Sequence, residues 1–252
     1  GGISNNSETY NGTSWTEGNN LGSPADNAAS AGVETAGVAF GGSPPAGGAN
    51  NDTQEYDGTD WSEGNNLNTG RYAIGGSGTQ TAALAAGGSP PGNTGSNLSE
   101  EYNGTNWTEG NNLGTGRYKL TIFGTQTAAV AAGGDTGPAN VNNVEHYDGT
   151  SWTNATVYPS TLTYAASAGS QTDGLVFLGD LGPGYGATTN TYDGTSWAAS
   201  ATLANAGGNT EGCGTGALAL AASGGPSSGR TNGAEEFTGA STSLNVKTLT
   251  SS

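Results

Sequence analysis

The sequence predicts an all-β protein with a β-propeller fold built of four-stranded blades. Three observations support this prediction. An aromatic motif recurs every 45 or 46 residues, a block of small apolar residues ending in glycine lies between its copies, and no stretch has helical periodicity. A fixed period of this size indicates one supersecondary unit repeated along the chain, and four short strands in such a unit make a propeller blade.

The aromatic motif consists of Tyr, an Asn-Gly or Asp-Gly pair, Thr, a polar residue and Trp. Its copies lie at 10–15, 56–61, 102–107, 147–152 and 192–197, with a degenerate copy at 237–242. Each copy predicts a β-hairpin, because Asn-Gly and Asp-Gly accept the positive φ angles of a two-residue type I′ turn. In the third copy this register places Tyr102 opposite Thr105 and Trp107 opposite Glu100, so that the two rings form a diagonal pair on one face.

We assign these aromatic pairs a structural role, with each aromatic face covered by a neighbouring copy of the repeat. The ten residues are Tyr10, Trp15, Tyr56, Trp61, Tyr102, Trp107, Tyr147, Trp152, Tyr192 and Trp197.

The block between the hairpins predicts a short buried strand ended by glycines. It is clearest at 79–88 and 125–134, with looser versions at 34–42, 171–179 and 217–225. Another short segment precedes each block, for example at 72–75 and 118–123. The repeat therefore has four strands, here called A, B, C and D, in which Gly-Gly ends B, Tyr ends C and Trp lies in D. Residues 243–249 alternate like a final D strand.

We expect residues 1–252 to form a single propeller domain. The chain has five A–B pairs but six C–D hairpins, and the hairpin at 8–17 is the surplus one. Five blades are favoured because the innermost strands set the number of blades. The alternative is six blades completed by an upstream segment, with Gly1-Gly2 as the end of a sixth B strand. The surplus hairpin is expected at the junction with the C-terminal segment, or docked on a neighbouring subunit.

The composition limits both the core and the partners. Only 15 Leu, 8 Val, 4 Phe and 3 Ile occur in 252 residues, which predicts a thin core of Ala, Gly and aromatic side chains. The net charge is −16 with only 5 Lys plus Arg. This balance argues against nucleic acid and anionic membrane as partners. No apolar run is long enough for a transmembrane helix, so no membrane insertion is expected.

The order of features within the unit resembles the kelch repeat over nearly the whole chain. These features are the Gly-Gly that ends strand B, the Tyr, the Trp, and an Arg before the next blade, namely Arg71 and Arg117. The match departs from kelch in its shorter Tyr-to-Trp gap and in copies that lack the second Gly or the Arg. The amino-acid sequence of 107–118 and 124–129 also resembles that of kelch-like repeat proteins from marine tailed bacteriophages of the cyanophage type. That resemblance implies tail fibres and other virion appendages.

Antiparallel order places the short A–B and C–D turns on one face and the B–C and D–A loops on the other. The B–C loops are long, at 43–53, 89–99, 135–144, 180–190 and 226–234. Binding residues commonly lie on such loops, and Asn, Asp and aromatic side chains suit carbohydrate. The predicted ligand-binding residues are Asn51, Asp52, Arg71, Tyr72, Asn111, Asn112, Arg117, Tyr118, Asn142, Tyr185 and Arg230. The alternative is that these residues serve turns, and that Arg71 and Arg117 pair with Glu63 and Glu109.

No catalytic, cofactor-binding or metal site is predicted. His146 is the only histidine, whereas a copper site needs several ligands. The spacing of Cys213 and His146 gives no support to a Cys–His dyad. The glycines lie in turns and strand ends with no following helix, unlike a phosphate-binding loop. Asn and Asp exchange freely in the hairpins, which fits a turn role better than a calcium ligand.

Two functions follow as hypotheses. The first is a non-enzymatic structural or attachment protein of a virion appendage or other extracellular assembly, in which the propeller is a rigid knob. Its partners would be other virion or assembly proteins, or further copies of the chain. The second is a lectin-type module that binds cell-surface glycan through the face with the long loops. Both place the protein on a virion or outside the cell.

Overall fold

The computed structural model describes residues 3–92, 94–181, 184–204, 207–222, 233–238 and 248–250. Every regular element among them is a β-strand, and none of them forms a helix suited to crossing a membrane. The chain divides into two compact units. Unit 1 comprises Gly1–Tyr118, Thr125–Thr127 and Gly149–Trp152, and unit 2 comprises Lys119–Gly124, Ala128–Asp148 and Thr153–Ser252.

Unit 1 contains a two-stranded sheet and two four-stranded sheets. Their strands are β1 (Glu8–Tyr10), β2 (Trp15–Glu17), β3 (Ala29–Val33), β4 (Ala36–Phe40), β5 (Thr53–Tyr56), β6 (Trp61–Glu63), β7 (Gly75–Thr79), β8 (Ala82–Ala86), β9 (Ser99–Tyr102) and β10 (Trp107–Glu109).

The other three sheets, which have four strands each, belong to unit 2 apart from Thr125–Thr127 and Gly149–Trp152. Their strands are β11 (Thr121–Thr125), β12 (Ala128–Ala132), β13 (Val144–Tyr147), β14 (Trp152–Asn154), β15 (Ala166–Ser170), β16 (Asp173–Phe177), β17 (Thr189–Tyr192), β18 (Trp197–Ser200), β19 (Glu211–Gly214), β20 (Leu218–Ala222), β21 (Gly233–Thr238) and β22 (Thr248–Thr250).

The strands of each four-stranded sheet follow one another in chain order, as predicted for A, B, C and D. The prediction of five four-stranded blades is confirmed, and the surplus hairpin forms the two-stranded sheet β1–β2. The last sheet includes β22, close to the predicted final D strand. Residues 239–242 of the degenerate motif, and 243–247 of that predicted strand, lie outside the described residues.

The inner strands lie further along the chain than the segments predicted for them. Strand β7 covers Gly75–Thr79 rather than 72–75, and β11 covers Thr121–Thr125 rather than 118–123. The cause is a bend before each strand, where Ala73 has φ +48° and Lys119 has φ +59°. A left-handed residue interrupts an extended strand, so regular pairing begins only after it.

The register of the hairpins differs from the prediction. Tyr102 lies directly opposite Trp107, so the loop has four residues, 103–106, instead of two. The same register pairs Tyr10 with Trp15, Tyr56 with Trp61 and Tyr192 with Trp197. The predicted two-residue turn and the diagonal pairing of the rings are therefore wrong, although both rings still share one face of the sheet.

The side chain of the Asn or Asp sets this four-residue loop. Asn103 Oδ1 accepts hydrogen bonds from the N–H groups of Thr105 at 3.0 Å and Asn106 at 2.8 Å. Within the loop only Gly104, at φ +84°, has a positive φ. Asp57 accepts the equivalent bonds at 2.8 Å, and these bonds hold its pKa below the usual value. Asn and Asp exchange in the motif because both supply the same oxygen.

Alanine and aromatic side chains form much of the core, as the composition predicts. In unit 1 a buried cluster joins Val38 and Phe40 of β4 to Ala83 and Ala85 of β8 and to Trp107 of β10. Large side chains of one sheet thus pack against small side chains of the next.

Candidate binding grooves between successive hairpins

The third aromatic pair packs on the sheet that precedes it in the chain. Tyr102 and Trp107 have ring centroids 4.9 Å apart, and Phe40 of the preceding sheet meets the Trp107 ring edge-on at 4.8 Å. Trp107 Nε1 donates to Thr53 Oγ1 at 3.0 Å, and the Tyr102 hydroxyl donates to Glu55. The aromatic face is therefore covered, with the indole N–H and the phenol hydroxyl both bonded.

Unit 2 contains a related arrangement around the fifth pair. Tyr192 and Trp197 stack at 4.4 Å, and Trp197 Nε1 donates to the carbonyl of Thr156 at 3.0 Å. The hydroxyl of Tyr192 lies 2.9 Å from His146 Nε2. His146 thus occupies the repeat position of Glu55, and burial lowers the pKa of its imidazole. A neutral ring keeps one nitrogen able to accept the tyrosine proton in a hydrogen bond.

Glutamine side chains in the A–B turns bind the preceding sheet. Gln80 Nε2 donates to the carbonyl of Gly37 at 3.2 Å and to that of Tyr56 at 2.8 Å. The same two bonds recur for Gln126 with Ala83 and Tyr102, and for Gln171 with Ala129 and Tyr147. Sequence reasoning missed this role. The signal was the recurrence of Gln two residues after Gly at a fixed place in the repeat.

Asparagine side chains bridge successive hairpins in unit 1. Asn19 Nδ2 donates to the carbonyl of Thr59 at 3.2 Å, and Asn65 Nδ2 donates to Asn106 Oδ1 at 2.9 Å. Asn111, a predicted ligand-binding residue, donates in the same way to the carbonyl of Thr150 at 2.8 Å. Its amide nitrogen is thereby used within the fold.

Asn65 also lines an open, mostly polar groove of about 610 Å³. The groove is lined by Glu55, Glu63, Gly64, Asn65, Asn66, Tyr102, Gly104 and Thr105. Gly64 lies beside the Tyr102–Glu55 hydrogen bond, since an added Cβ there would lie 3.3 Å from the Tyr102 hydroxyl and 3.4 Å from Glu55 Oε1. Any side chain at Gly64 would therefore press on that hydrogen bond.

A second groove of about 370 Å³ lies one repeat earlier. It is lined by Thr9, Glu17, Gly18, Asn19, Glu34, Thr35, Tyr56, Gly58 and Thr59. Seven of the eight residues of the larger groove lie 46 positions after a lining residue of this one. The grooves are therefore a product of the repeat itself.

The chemistry of the larger groove is that of a hydrogen-bonding surface. Glu63 and Asn66 are exposed lining residues, and although Asn66 Oδ1 accepts from the Thr53 N–H, the Glu63 carboxylate and the Asn66 amide nitrogen are groups that can bind hydroxyls. Burial raises the pKa of Tyr102, and the hydrogen bond and charge of Glu55 raise it further, so the phenol stays protonated. Within the described part of the chain, no three His, Cys, Asp or Glu side chains lie close enough together to hold a metal ion.

Most of the predicted ligand-binding residues serve the fold. Asn51 donates to the carbonyl of Leu67 and Asn142 to that of Tyr158, each across 16 residues. The backbone N–H of Asp52 donates to Asn50 Oδ1, and its Oδ2 accepts from Asn50 Nδ2.

The aromatic and remaining polar members of the predicted set differ in exposure. Tyr118 is buried, Tyr72 and Tyr185 are half-buried, and Asn112 is exposed. Arg230 lies outside the described residues.

The two arginines of the predicted site are fully buried. Arg71 pairs with Glu100 at 2.8 Å, not with the exposed Glu63, and it also donates to the carbonyls of Gly87 and Leu98. The alternative that pairs Arg71 with Glu63 is therefore wrong, because the guanidinium satisfies strand-end carbonyls and a buried carboxylate together. Arg117 occupies the equivalent position and is equally buried. Neither side chain can meet a ligand from solvent in this structure.

Comparisons with known proteins bear on the fold alone. No family model matches the chain, and no curated protein matches it either. A solved structure described as "Structure of YjhT" is similar over 98% of this chain and 98% of its own, with a TM-score of 0.78 and 12% sequence identity. Together with the five four-stranded sheets, this similarity confirms the predicted five-bladed β-propeller fold.

Proposed function

We propose that this chain is a non-enzymatic structural or attachment module of an extracellular assembly, with the propeller acting as a rigid knob. The observation that supports the proposal is a repeated set of hydrogen bonds from glutamine side chains to the preceding sheet, here called the glutamine staple. Gln80, Gln126 and Gln171 each bind two carbonyls of the preceding sheet. Polar side chains repeated in this way stiffen a scaffold, and their amide nitrogens are already used inside it.

The finer assignment is a kelch-like repeat protein of a tailed-phage tail fibre or other virion appendage. The sequence resemblance of 107–118 and 124–129 supports it. The low number of cationic residues also fits a surface that does not hold nucleic acid. The partners would be other proteins of the virion.

Immuno-electron microscopy would test this assignment. Antibody raised against the recombinant chain should label an appendage on purified tailed-phage particles, and the protein should be found by mass spectrometry in the same particles. Particles that carry neither label nor peptides, with the protein confined to infected-cell cytosol, would contradict it.

The grooves favour a second function, glycan binding. Each combines exposed carboxylate and amide groups on a rigid floor, and two copies one repeat apart would engage two residues of one glycan with increased avidity. With this function, the propeller itself would recognise glycans on the surface of the host cell.

A glycan array on matched variants would test the second function and locate its site. Wild type would be compared with Glu63→Gln, at the rim of the larger groove, and with Asn112→Ala, an exposed residue of a D–A loop. Binding weakened about tenfold by Glu63→Gln alone would place the glycan in the groove. Loss of binding with Asn112→Ala alone would instead place the glycan at the face with the long loops. No binding by wild type would exclude glycan binding for the glycans tested.

A further inference from the structure

The glutamates of the two grooves are not required by the strands that carry them. The segment Glu-Gly-Asn-Asn occurs at 17–20, 63–66 and 109–112, each time beginning two residues after a tryptophan. The next two repeats carry Asn154 and Ala199 in place of the glutamate. Strands β14 and β18 nevertheless include these residues and pair within their sheets. The fold of the repeat therefore does not explain why three copies have the glutamate.

Glu17 and Glu63 are also unused by the rest of the structure. Both side chains are exposed, and neither forms a hydrogen bond or an ion pair with any other residue that the structure describes. Arg71 follows Glu63 closely in the sequence, but its guanidinium is buried against Glu100. Each groove is thus lined by a glutamate whose carboxylate is available to a ligand.

Most hydrogen-bond donors in the grooves are already used within the fold. In the larger groove, Asn65 Nδ2 donates to a neighbouring side chain at 2.9 Å, and the Tyr102 hydroxyl donates to a carboxylate. The backbone N–H of Gly64 donates to a strand carbonyl at 2.9 Å. In the smaller groove, Asn19 Nδ2 donates to a carbonyl at 3.2 Å and to a carboxylate at 2.6 Å. Few donors therefore remain for a ligand.

The groups that remain are mainly acceptors with negative charge. The larger groove keeps the second carboxylate oxygen of Glu55, the carboxylate of Glu63 and Asn65 Oδ1. The smaller groove keeps the carboxylates of Glu17 and Glu34. No Lys, Arg or His is among the described residues that line either groove. A ligand that complements this surface supplies hydrogen-bond donors and positive charge.

A protonated amino group meets both requirements. It offers three donors and no acceptor, and its hydrogen bonds to a carboxylate are about twice as strong as bonds between neutral groups. A sugar hydroxyl also donates, but without the charge. An ionised carboxylate or sulfate on a sugar offers no donor, and Glu55 and Glu63 would repel it. The net charge of −16 strengthens both the attraction and the repulsion.

We propose that the two grooves bind the amino sugars of a basic glycan, with the carboxylates of Glu17 and Glu63 accepting hydrogen bonds from the ammonium groups. In the larger groove, the amide nitrogen of Asn66 donates to a hydroxyl or ring oxygen of the same sugar. Neutral glycans bind more weakly, and acidic glycans are excluded. The inference rests on the proposed glycan binding and names the class of sugar that this function would take.

Three matched oligosaccharides test the choice of sugar. Hexamers of glucosamine, glucose and glucuronic acid, all joined by the same linkage, would be titrated into the whole chain by calorimetry. The pH would be slightly acidic, so that the amines are protonated and the carboxylates ionised. We expect the glucosamine hexamer to bind about tenfold or more tightly than the glucose hexamer, and the glucuronic acid hexamer not to bind. Equal binding of glucosamine and glucose would overturn this inference and leave glycan binding intact, whereas no binding of any hexamer would overturn both.

Charge-removing variants locate the contact. Glu17→Gln and Glu63→Gln should each weaken binding of the glucosamine hexamer about tenfold, with a much smaller effect on the glucose hexamer. The matched control is Asp173→Asn, which removes one exposed carboxylate from unit 2 and lines neither groove. Asp173→Asn should leave binding unchanged. An equal loss in all three variants would show attraction to the net charge alone and would overturn the proposal.

Hexalysine separates an amino sugar from a basic peptide. It carries the same number of side-chain ammonium groups as the glucosamine hexamer has amino groups, but it has no hydroxyls. We expect hexalysine to bind at least about tenfold more weakly than the glucosamine hexamer, because it cannot use the amide nitrogen of Asn66 in the same way. Hexalysine that binds as tightly, and is weakened to the same extent by Glu63→Gln, would overturn the proposal in favour of a basic peptide.

Discussion

The hairpins of 8–17 and 99–109 share the sequence Tyr-Asn-Gly-Thr-x-Trp but differ in their surroundings. Their ring pairs are almost the same, with centroids 5.0 Å apart in the first hairpin and 4.9 Å in the second. Their loops are closed by the same side-chain hydrogen bonds. The rings of the first hairpin are nevertheless half-buried, whereas those of the second are buried. Local sequence therefore sets the hairpin, and the neighbouring sheet sets its burial.

The largest expected contrast is at the tryptophans. Trp107→Ala should lower the free energy of unfolding by about 3–5 kcal/mol, because a buried ring and its bond to Thr53 are lost. Trp15→Ala should cost much less, because that ring is already half in solvent. Urea denaturation of both variants would measure the difference. Equal losses would mean that the first hairpin is covered as fully as the third.

The glutamates Glu8 and Glu100, which occupy the same position of the repeat, provide a second comparison. Glu100→Ala leaves the Arg71 guanidinium buried without its carboxylate and should cost about 3 kcal/mol or more. Glu8→Ala removes an exposed carboxylate at the same repeat position and should stay within about 0.5 kcal/mol of wild type. Denaturation in low and high salt would check both, and a large cost at Glu8 would show that this carboxylate has a buried partner.

The A–B turns offer a third pair of positions. Gln80→Ala removes two hydrogen bonds to strand carbonyls and should cost about 1–3 kcal/mol. Glu34, the equivalent residue of the first complete sheet, is exposed, and Glu34→Ala should be nearly neutral. Thermal melts of the two variants are sufficient to compare them. A neutral Gln80→Ala would remove the staple as a source of rigidity.

The smallest contrast is in the hairpin loops. Gly12 and Gly104 have φ angles of +86° and +84°, so alanine at either should cost about 1 kcal/mol. An added Cβ at Gly104 would also meet Thr81 at 3.2 Å, whereas at Gly12 it would meet nothing within 4 Å. Gly104→Ala should therefore be the worse variant by several tenths of a kcal/mol. The reverse order of melting temperatures would contradict the closer packing of the third hairpin.

The sequence predicts the strand order and the number of four-stranded sheets because both follow from repetition. Gly87-Gly88 ends a strand, Tyr102 ends the next, and Trp107 begins the last, as the pattern indicated. The turn type was less predictable. Asn-Gly suits a two-residue loop, but Asn103 Oδ1 bonds to two amides and fixes a loop of four residues.

The candidate site was less predictable than the fold, because loop composition does not show which side chains are already used. Asn51 and Asn142 looked like ligand residues, yet each bonds a carbonyl 16 residues further along the chain. Arg71 looked exposed by its place in a polar loop, and the structure buries it against Glu100. The grooves depend on contacts between repeats, which spacing within one repeat cannot show.

Residue-resolved hydrogen exchange tests most directly the central claim that the first hairpin, unlike the others, has no inner strand paired with it among the described residues. The amides to compare are those of Glu8 and Glu100, which occupy the same position of the repeat. The structure predicts that the Glu100 amide, paired with strand B, exchanges only through substantial opening, whereas the Glu8 amide exchanges close to the rate of an unprotected chain. Equal protection of the two amides in the isolated chain would contradict the claim.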